Sequence, residues 1–598
     1  MEHLTPLLLA NGTDVLTWFA SGADEVSAHR RYLNLINVFP VADGDTGTNL
    51  STTLRAMVSV PSQTPSFGRT LKQLSRRAME NARGNSGIIF ASYVNGLALE
   101  GEAYERVGIR EFAKVASGAV RHLYSAVEHP QEGTLMSIIR DWAAFLSHNC
   151  ERYRSFQELF EGAYHAATVS LEKTRTQLSV LRRNNVVDSG AAGFVRFLEG
   201  INRVITGGRI AVVPDNEAVR PLAADDAPSE YRYCTEALVE ASRDITADEI
   251  KGLLHPLGDS LIVSLQDRRL KAHIHTNAPE QVMERLLTVG ALLEQKADDM
   301  HLQNRLRAVT GGVGLVTDSI ADLPDEYLLQ HGISVLPMGV LARDTAFLDK
   351  VTIRLPQLFR AMEDPDAYPT SSQPEPGRIR ALLAARLETF DSLIVLSVAS
   401  PLSGTYQALR QAAAELATPQ KPITVLDTHV NSGAQGLLVY RAAELAAQGL
   451  PHAQIVREIE NRIPRTKIYV CLNTLAYAVR GGRVPNTVGQ VGMKLGMRPI
   501  MTLDAAGHGA AFGVAFSQAG LTRIIFRLVR RAMKRGGIEA YSIVHGDNLP
   551  LAMAYRDQLV RLTGREPAFL SEISSAVALH AGPGTVAVCF TTRKGEAS

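Results

Sequence analysis

The stretch FPVADGDTGTNL (39–50) sets Asp43 and Asp45 one glycine apart with no other charge near them. Two carboxylates that close repel each other unless a cation lies between them, and in a tight turn both can offer oxygen to a hard divalent ion. Thr46, Gly47, Thr48 and Asn49 follow, with hydroxyl, amide and backbone N–H groups suited to phosphate. That chemistry is a metal-held nucleotide; taken alone, the same residues also describe a solvated Asp-Gly turn. Three further glycine loops, Asn85-Ser86-Gly87, Gly133-Thr134 and Asp188-Ser189-Gly190, lie in the same segment. Each alone is an ordinary helix connection, and together they favour a shared site.

A second set of donors is Cys234 with His273 and His275. Histidines at i and i+2 on a strand point to one side, and a thiolate from a neighbouring strand would complete three of the four ligands that tetrahedral zinc prefers. Glu236 could be a further ligand or could support one. In the C-terminal half, hydroxyl and glycine loops recur at PTSSQPEPG (369–377), PLSGTYQALRQA (401–412), YAVRGGRV (477–484) and HAGPGTVAV (580–588). A hydrolase built on Ser403 or Ser372 with His580 lacks a placed third group and a nucleophile elbow.

These groups need elements to hold them. Phe112, Val115, Ala119 and Leu123 recur at the spacing of one helix face, as do Phe160, Ala163, Ala167 and Leu171, so 1–208 is expected to be a helical bundle with its chemistry on the loops. The Pro-, Ala- and acid-rich stretch 212–230 has no periodicity, and 209–230 is expected to be a linker. Strand-like runs at 233–240, 260–265 and 270–276, then a polar helix near 280–308, predict a small α+β domain over 231–310. From 312 to 598, short apolar runs at 313–317, 392–399, 423–428, 468–474, 541–546 and 585–590 alternate with helical stretches such as 377–388. That texture predicts α/β layers with parallel strands.

Composition sets the bounds. A chain of 598 residues exceeds one core, and Lys+Arg 62 against Asp+Glu 61 leaves a net charge of +1, which gives no general case for nucleic acid as a partner. Its four cysteines are scattered, no segment approaches a membrane span, and the first residues lack a basic leader, so a cytoplasmic protein is expected.

In their order, NVFPVADGDTGTN, ARGNSG, EGT and VVDSGAAG resemble the ATP-binding subunit of bacterial fatty acid kinase, a relative of the DhaL nucleotide subunit of dihydroxyacetone kinase. The resemblance implies an all-α DhaL-like eight-helix barrel with ATP and two Mg²⁺ ions at its open end. Asp43 and Asp45 would be metal ligands, and Asn37 would stand where a third belongs. Thr46, Thr48, Asn49, Ser86, Gly87, Thr134 and Asp188 would line the nucleotide. The YCTE and HIHTN segments resemble the middle domain of the same kinase component and imply Zn²⁺ at Cys234, His273 and His275.

The C-terminal loops, together with VTDSIADLPDE (316–326), resemble the DegV family, the fatty-acid-binding partner of that kinase, and imply a two-lobed α/β domain. Ser371, Ser372, Ser403 and His580 would then hold a fatty acid carboxylate, with Arg483 assisting phosphoryl transfer. Ser371 stands where the family often has threonine, and AFGVAFSQAG (511–520) replaces a basic segment common in the family. The implied activity is a fatty acid kinase making an acyl phosphate. The alternatives are a small-molecule kinase of the dihydroxyacetone type and a non-enzymatic lipid-binding protein. Implied partners are a long-chain fatty acid, a membrane acyltransferase receiving the product, and a second copy of the chain in a homodimer.

Overall fold

Helix starts are written locally in this chain. Asn11 accepts from the Thr13 and Asp14 N–H groups while Asp14 accepts in return from the Asn11 N–H, and Ser66, Ser155 and Asp188 cap later helices through their side-chain oxygens. A computed structural model describes residues 5–39, 44–59, 65–208, 229–307, 309, 311–364, 366–482 and 486–594. Asp43, Arg483 and most of the expected linker lie outside the described residues. The chain divides into two compact units, Met1–Asn304 and Arg305–Ser598.

The first unit opens with eight long helices: α1 (Gly12–Ala28), α2 (Thr46–Val58), α3 (Phe67–Asn81), α4 (Gly84–Gly101), α5 (Ile109–Ala126), α6 (Leu135–Asn149), α7 (Phe156–Gln177) and α8 (Ser189–Thr206). Each packs on the next, and α8 closes on α1, so the bundle is a ring. The closure is tight because a Cβ on Gly200 would lie 2.3 Å from the Ser21 carbonyl oxygen. The predicted faces on α5 and α7 are buried, and Trp18, Phe112 and Phe160 meet with ring centroids 5.2–6.0 Å apart on the ring axis. What remains there is an apolar void of about 30 Å³, the room of one water, so any ligand must bind at an end of the ring.

After the helices come β1 (Tyr233–Ala241), β2 (Gly258–Gln266), β3 (Arg269–Thr276) and β4 (Gly290–Asp299), an antiparallel sheet in the order β2-β3-β1-β4. The expected single polar helix near 280–308 is instead the helix Pro279–Leu287, strand β4 and the helix Met300–Arg307. β1 has a free edge whose N–H and C=O groups need partners, and β4 supplies them; Gly290 allows the approach, since a Cβ there would sit 2.1 Å from the Glu240 oxygen. The sheet rests on the ring. Asn95 Nδ2 donates to the Leu265 oxygen at 3.0 Å, the Glu128 N–H to that of Leu261 at 3.1 Å, and Ile262 joins the ring's core.

The second unit is α/β with two principal sheets. Ile423–Asp427, Ser392–Ser397, Val313–Asp318 and Ser334–Leu336 form one in that order, all parallel as expected. The other runs Gly509–Ala515, Arg498–Leu503, Thr466–Cys471, Val586–Thr592, Ile538–His545, Phe569–Glu572 and is antiparallel except for its last pair. Parallel strands throughout was therefore wrong for this half. A short apolar run buried on both faces reads the same in either direction, and the connections decide. The helix Ser432–Ala447 packs on strands of both sheets, and the Ser542 hydroxyl donates to the Gly433 oxygen at 3.0 Å.

Buried carboxylates fix the helix Ser575–Ala581 that carries His580. Asp322 accepts from the Ser574 N–H and Asp349 from the Ser575 N–H, each at 2.7 Å, and Lys350 lies 2.8 Å from Asp322. No helix among the described residues is long and apolar enough to cross a membrane.

Candidate functional site

Four helices of the ring begin at one end. A Cβ on Gly84 would lie 2.4 Å from Asn49 Nδ2, one on Gly190 would lie 2.7 Å from Ser86 Oγ, and the Leu135 N–H donates to Asp188 Oδ1 at 3.1 Å. The N-termini of α2, α4, α6 and α8 therefore converge, and their unpaired N–H groups and aligned dipoles make that end attractive to anions. Gly44, at φ 68°, turns the chain just before Asp45, which stands at the start of α2.

At this end Asn37, Phe39, Asp45, Thr46, Asn49, Gly84, Asn85 and Ser86 line one cleft, and its opposite wall is Cys234, His273, His275 and Lys296 from the sheet. Of the residues expected to hold nucleotide and Mg²⁺, the structure thus gathers Asn37, Asp45, Thr46, Asn49 and Ser86. Thr48, Gly87, Thr134 and Asp188 do not line the cleft. Thr48 exchanges hydrogen bonds with Asn34 at 2.9 and 3.0 Å, a Cβ on Gly87 would meet Thr53 Oγ1 at 2.6 Å, and the Thr134 hydroxyl donates to the Gln131 oxygen at 2.7 Å.

Asp188 joins two helix starts by accepting the Ala191 and Leu135 N–H groups, while burial pushes its carboxyl up from 3.8 to about 6 against them. The raised value means the folded state holds the proton more tightly than the unfolded chain. Its stabilising contribution is full below the unfolded value and is lost as pH rises through the folded one, a swing of roughly 3 kcal/mol between about pH 4 and pH 6. Asp188→Asn keeps an acceptor at Oδ1 and should remove that slope. Urea midpoints of parent and variant on both sides of the window read it; identical pH slopes would refute the assignment.

The expected zinc ligands do meet: donor atoms of Cys234, His273 and His275 all lie within 4.8 Å of one another, and Cys234 Sγ is 3.8 Å from His273 Nδ1. The register sets Cys234 opposite His275 across β1 and β3. Buried His273 Nε2 has no hydrogen-bond partner, which an imidazole tolerates poorly unless a ligand is meant for it. Burial together with His273 pushes His275 down to about 3, so it is a neutral lone-pair donor at neutral pH. Burial, with the nearby Glu236, pushes the Cys234 thiol up, and a bound cation would displace its proton. This donor set fits Zn²⁺.

Glu236, which the sequence left open, is the joint between sheet and ring. Its Oε1 accepts the Gly84 N–H at 2.6 Å and lies 3.8 Å from His273 Nδ1, while its Oε2 is 3.6 Å from Lys271 Nζ. Burial raises its pKa, but the bond from His273 and the charges of Lys271 and Lys296 outweigh this and hold it well below the usual carboxylate range. Lys296 was missed altogether. It faces Glu236 in the β1–β4 register, pairs with Asp298, and brings a cation to the cleft; reading 280–308 as a helix hid it. Asn85 Oδ1, also in the cleft, is buried without a hydrogen-bond partner.

In the second unit, Ser371 and Ser372 pair with Val340 and Gly339, and a Cβ on Gly339 would lie 2.1 Å from Ser372 Oγ. Ser403 Oγ lies 2.8 Å from Thr405 Oγ1, whose hydroxyl reaches Met338 Sδ at 3.5 Å, in a buried apolar cluster with Ile320, Val398 and Ala576. A Cβ on Gly404 would meet Gln373 Oε1 at 2.2 Å, so the Ser403 loop borders the chain just past Ser372. His580 Nδ1 would be 2.0 Å from a Cβ on Gly481, and the Tyr368 hydroxyl donates to the Leu579 oxygen at 2.6 Å. These contacts bring the four expected substrate residues to one neighbourhood, polar in front and apolar behind.

Comparison with known proteins matches residues 40–203 to the DAK2 domain, 230–307 to the FakA-like middle domain of fatty acid kinase, and 312–593 to the DegV family, described as uncharacterised protein. The chain carries these three domains in that order. It is 30% identical over 298 residues to an uncharacterized protein of Staphylococcus saprophyticus, covering 48% of this chain and 54% of that one. It is 31% identical over 300 residues to protein YloV of Bacillus subtilis, again covering 48% and 54%. The chain spans about half the length of the curated relatives it matches. Among solved structures it is similar to a DegV family protein from Thermus thermophilus titled for fatty acid binding, at 28% identity, 47% of this chain, 100% of that chain and TM-score 0.44. It is also similar to DegV of Bacillus subtilis, titled a fatty acid binding protein, at 23% identity, 48% of this chain, 100% of that chain and TM-score 0.43.

Proposed function

We propose that this chain is a self-contained fatty acid kinase, passing the γ-phosphoryl group of ATP to a fatty acid carboxylate to give an acyl phosphate and ADP. The observation that carries the reading is the cleft where four helix starts, Asp45 and Lys296 converge, in a chain that also holds a DegV domain. In this reading residues 1–208 bind nucleotide, 231–310 close the phosphate end, and 312–598 hold the acid.

Asn37, Asp43 and Asp45 would hold Mg²⁺, which when bound neutralises charge on the phosphates. The helix N-termini, Asn49 and Ser86 orient the phosphates, and Lys296 adds positive charge from the opposite wall. Cys234, His273 and His275 would hold Zn²⁺ and tie β1 to β3. On the acceptor side Ser371, Ser372, Ser403 and His580 hold the carboxylate, while the Met338 cluster takes apolar chain, worth about 0.8 kcal/mol per methylene. The carboxylate is ionised at neutral pH and needs no strong base. Its oxygen attacks phosphorus, the bond to the β-phosphate oxygen breaks, and Arg483 is the candidate cation beside the transfer. A homodimer and a membrane acyltransferase consuming the product belong to the same reading. So does a cytoplasmic setting, which the four free cysteines suit.

The test is ADP release by the purified chain with Mg·ATP and oleate. Release above a no-lipid control is expected, and Ser403→Ala, which removes a bond to a charged head, should raise KM for oleate about 10-fold. Release that answers to dihydroxyacetone and ignores oleate would replace this reading with the small-molecule kinase.

A further inference from the structure

The helix Gln518–Lys534 carries Arg523, Arg527, Arg530, Arg531 and Lys534, and Arg535 follows as its C-cap. Steps of four, three, one, three and one residues keep all six on one side of the helix, a stripe about 18 Å long at 1.5 Å per residue. All six are exposed, while Leu521, Ile525, Phe526 and Val529 on the other side are buried in the core of the second sheet. The helix is thus held by its apolar face and presents only cations outward.

Three observations separate this stripe from an ordinary solvated face. No acidic residue occurs between Asp504 and Glu539, although the whole chain has a net charge of only +1. Other arginines of this unit are paired, Arg441 with Glu444, Arg462 with Glu458 and Arg556 with Glu566, whereas none of the six has an ion-pair partner among the described residues. Like charges at this spacing repel and weaken the helix, a cost that an anionic partner relieves. Finally, the strand Gly509–Ala515 leading into the helix leaves Phe512 and Val514 exposed, and Phe516 beside the helix start is 68% exposed.

We propose that this stripe is an adsorption surface for an anionic lipid bilayer. The stripe itself has no aromatic side chain on which a nucleic acid base could stack, and the neighbouring Phe512, Val514 and Phe516 suit the acyl boundary of a membrane. The choice of lipid also draws on the fatty-acid reading, because an insoluble substrate is collected at a membrane. Binding is electrostatic, each cation contributing about 1 kcal/mol near an anionic surface.

The test is co-sedimentation of the full chain, without ATP or added fatty acid, with vesicles of phosphatidylcholine alone or mixed with phosphatidylglycerol. Binding only to the mixed vesicles is expected, abolished at about 1 M salt where the Debye length is about 3 Å. The triple variant R523Q/R527Q/R530Q should bind about 100-fold more weakly with an unchanged melting temperature. Equal binding to both vesicles, salt-resistant binding, full binding by the variant, or binding to a single-stranded oligonucleotide but to neither vesicle would each overturn the proposal. Salt dependence of the parent keeps the test decisive should the variant misfold. Fatty acid extracted from the same preparation reads the substrate independently: lipid-loaded protein that ignores vesicles refutes the surface alone, and vesicle binding by protein that refuses oleate refutes the kinase reading alone.

Discussion

Asp45→Asn is expected to lower oleate-dependent ADP release by on the order of 100- to 1000-fold while leaving the fold intact. Asp45 stands at the start of α2 in the cleft, close enough to Cys234 that its charge helps push that thiol up. Asparagine keeps the shape and one acceptor oxygen but removes the charge that would bind a divalent ion, so the loss falls on transfer rather than on packing. Three readouts separate this from general damage: melting temperature, zinc content of the Cys234 cluster, and extractable fatty acid should all match the parent. Activity within about threefold of the parent would remove Asp45 from the metal site, since losing a metal-holding carboxylate cannot cost so little.

Glu236→Ala should be the most destabilising single change in the first unit, at about 3–5 kcal/mol. It strips the acceptor from the Gly84 N–H and takes the counter-charge from Lys271 and Lys296 at a buried position. Removing one member of a buried charge network leaves the others unpaired in a medium that solvates them poorly, which costs more than the original pairing gained. Because Gly84 opens α4 at the anion-binding end, the same change should weaken Mg·ATP binding as well. Denaturant midpoints of Glu236→Ala and Glu236→Gln measure the effect, with glutamine intermediate because it retains an acceptor for Gly84. A loss below about 1 kcal/mol for alanine would show that sheet and ring do not depend on this joint.

Much of this architecture is present in the sequence because it is local. The burial of Phe112, Val115, Ala119 and Leu123 follows from a 3.6-residue repeat, and the Asn11 and Ser155 caps from side chains adjacent to the groups they satisfy. The apolar runs at 313–317, 392–399 and 423–428 announced their strands in the same way. Asp45, Asn49 and Ser86 could be named as candidates because a hydroxyl or carboxylate beside a glycine turn has few other uses at such density.

What the tertiary structure decided is which of these groups face one another. Sequence placed the Cys234, His273 and His275 cluster in a domain of its own, yet the sheet turns that cluster toward the nucleotide end of the ring, so both sets of candidate metal ligands share one cleft. The β1–β4 register brought Lys296 opposite Glu236, and connections rather than composition made the second sheet antiparallel. The physical reason is the same in each case. Periodicity records whether a side chain is buried, a property of its own neighbourhood, whereas a partner 60 or 150 residues away is chosen by strand register and closure of the ring, as with Lys296 and Glu236 or Glu236 and Gly84.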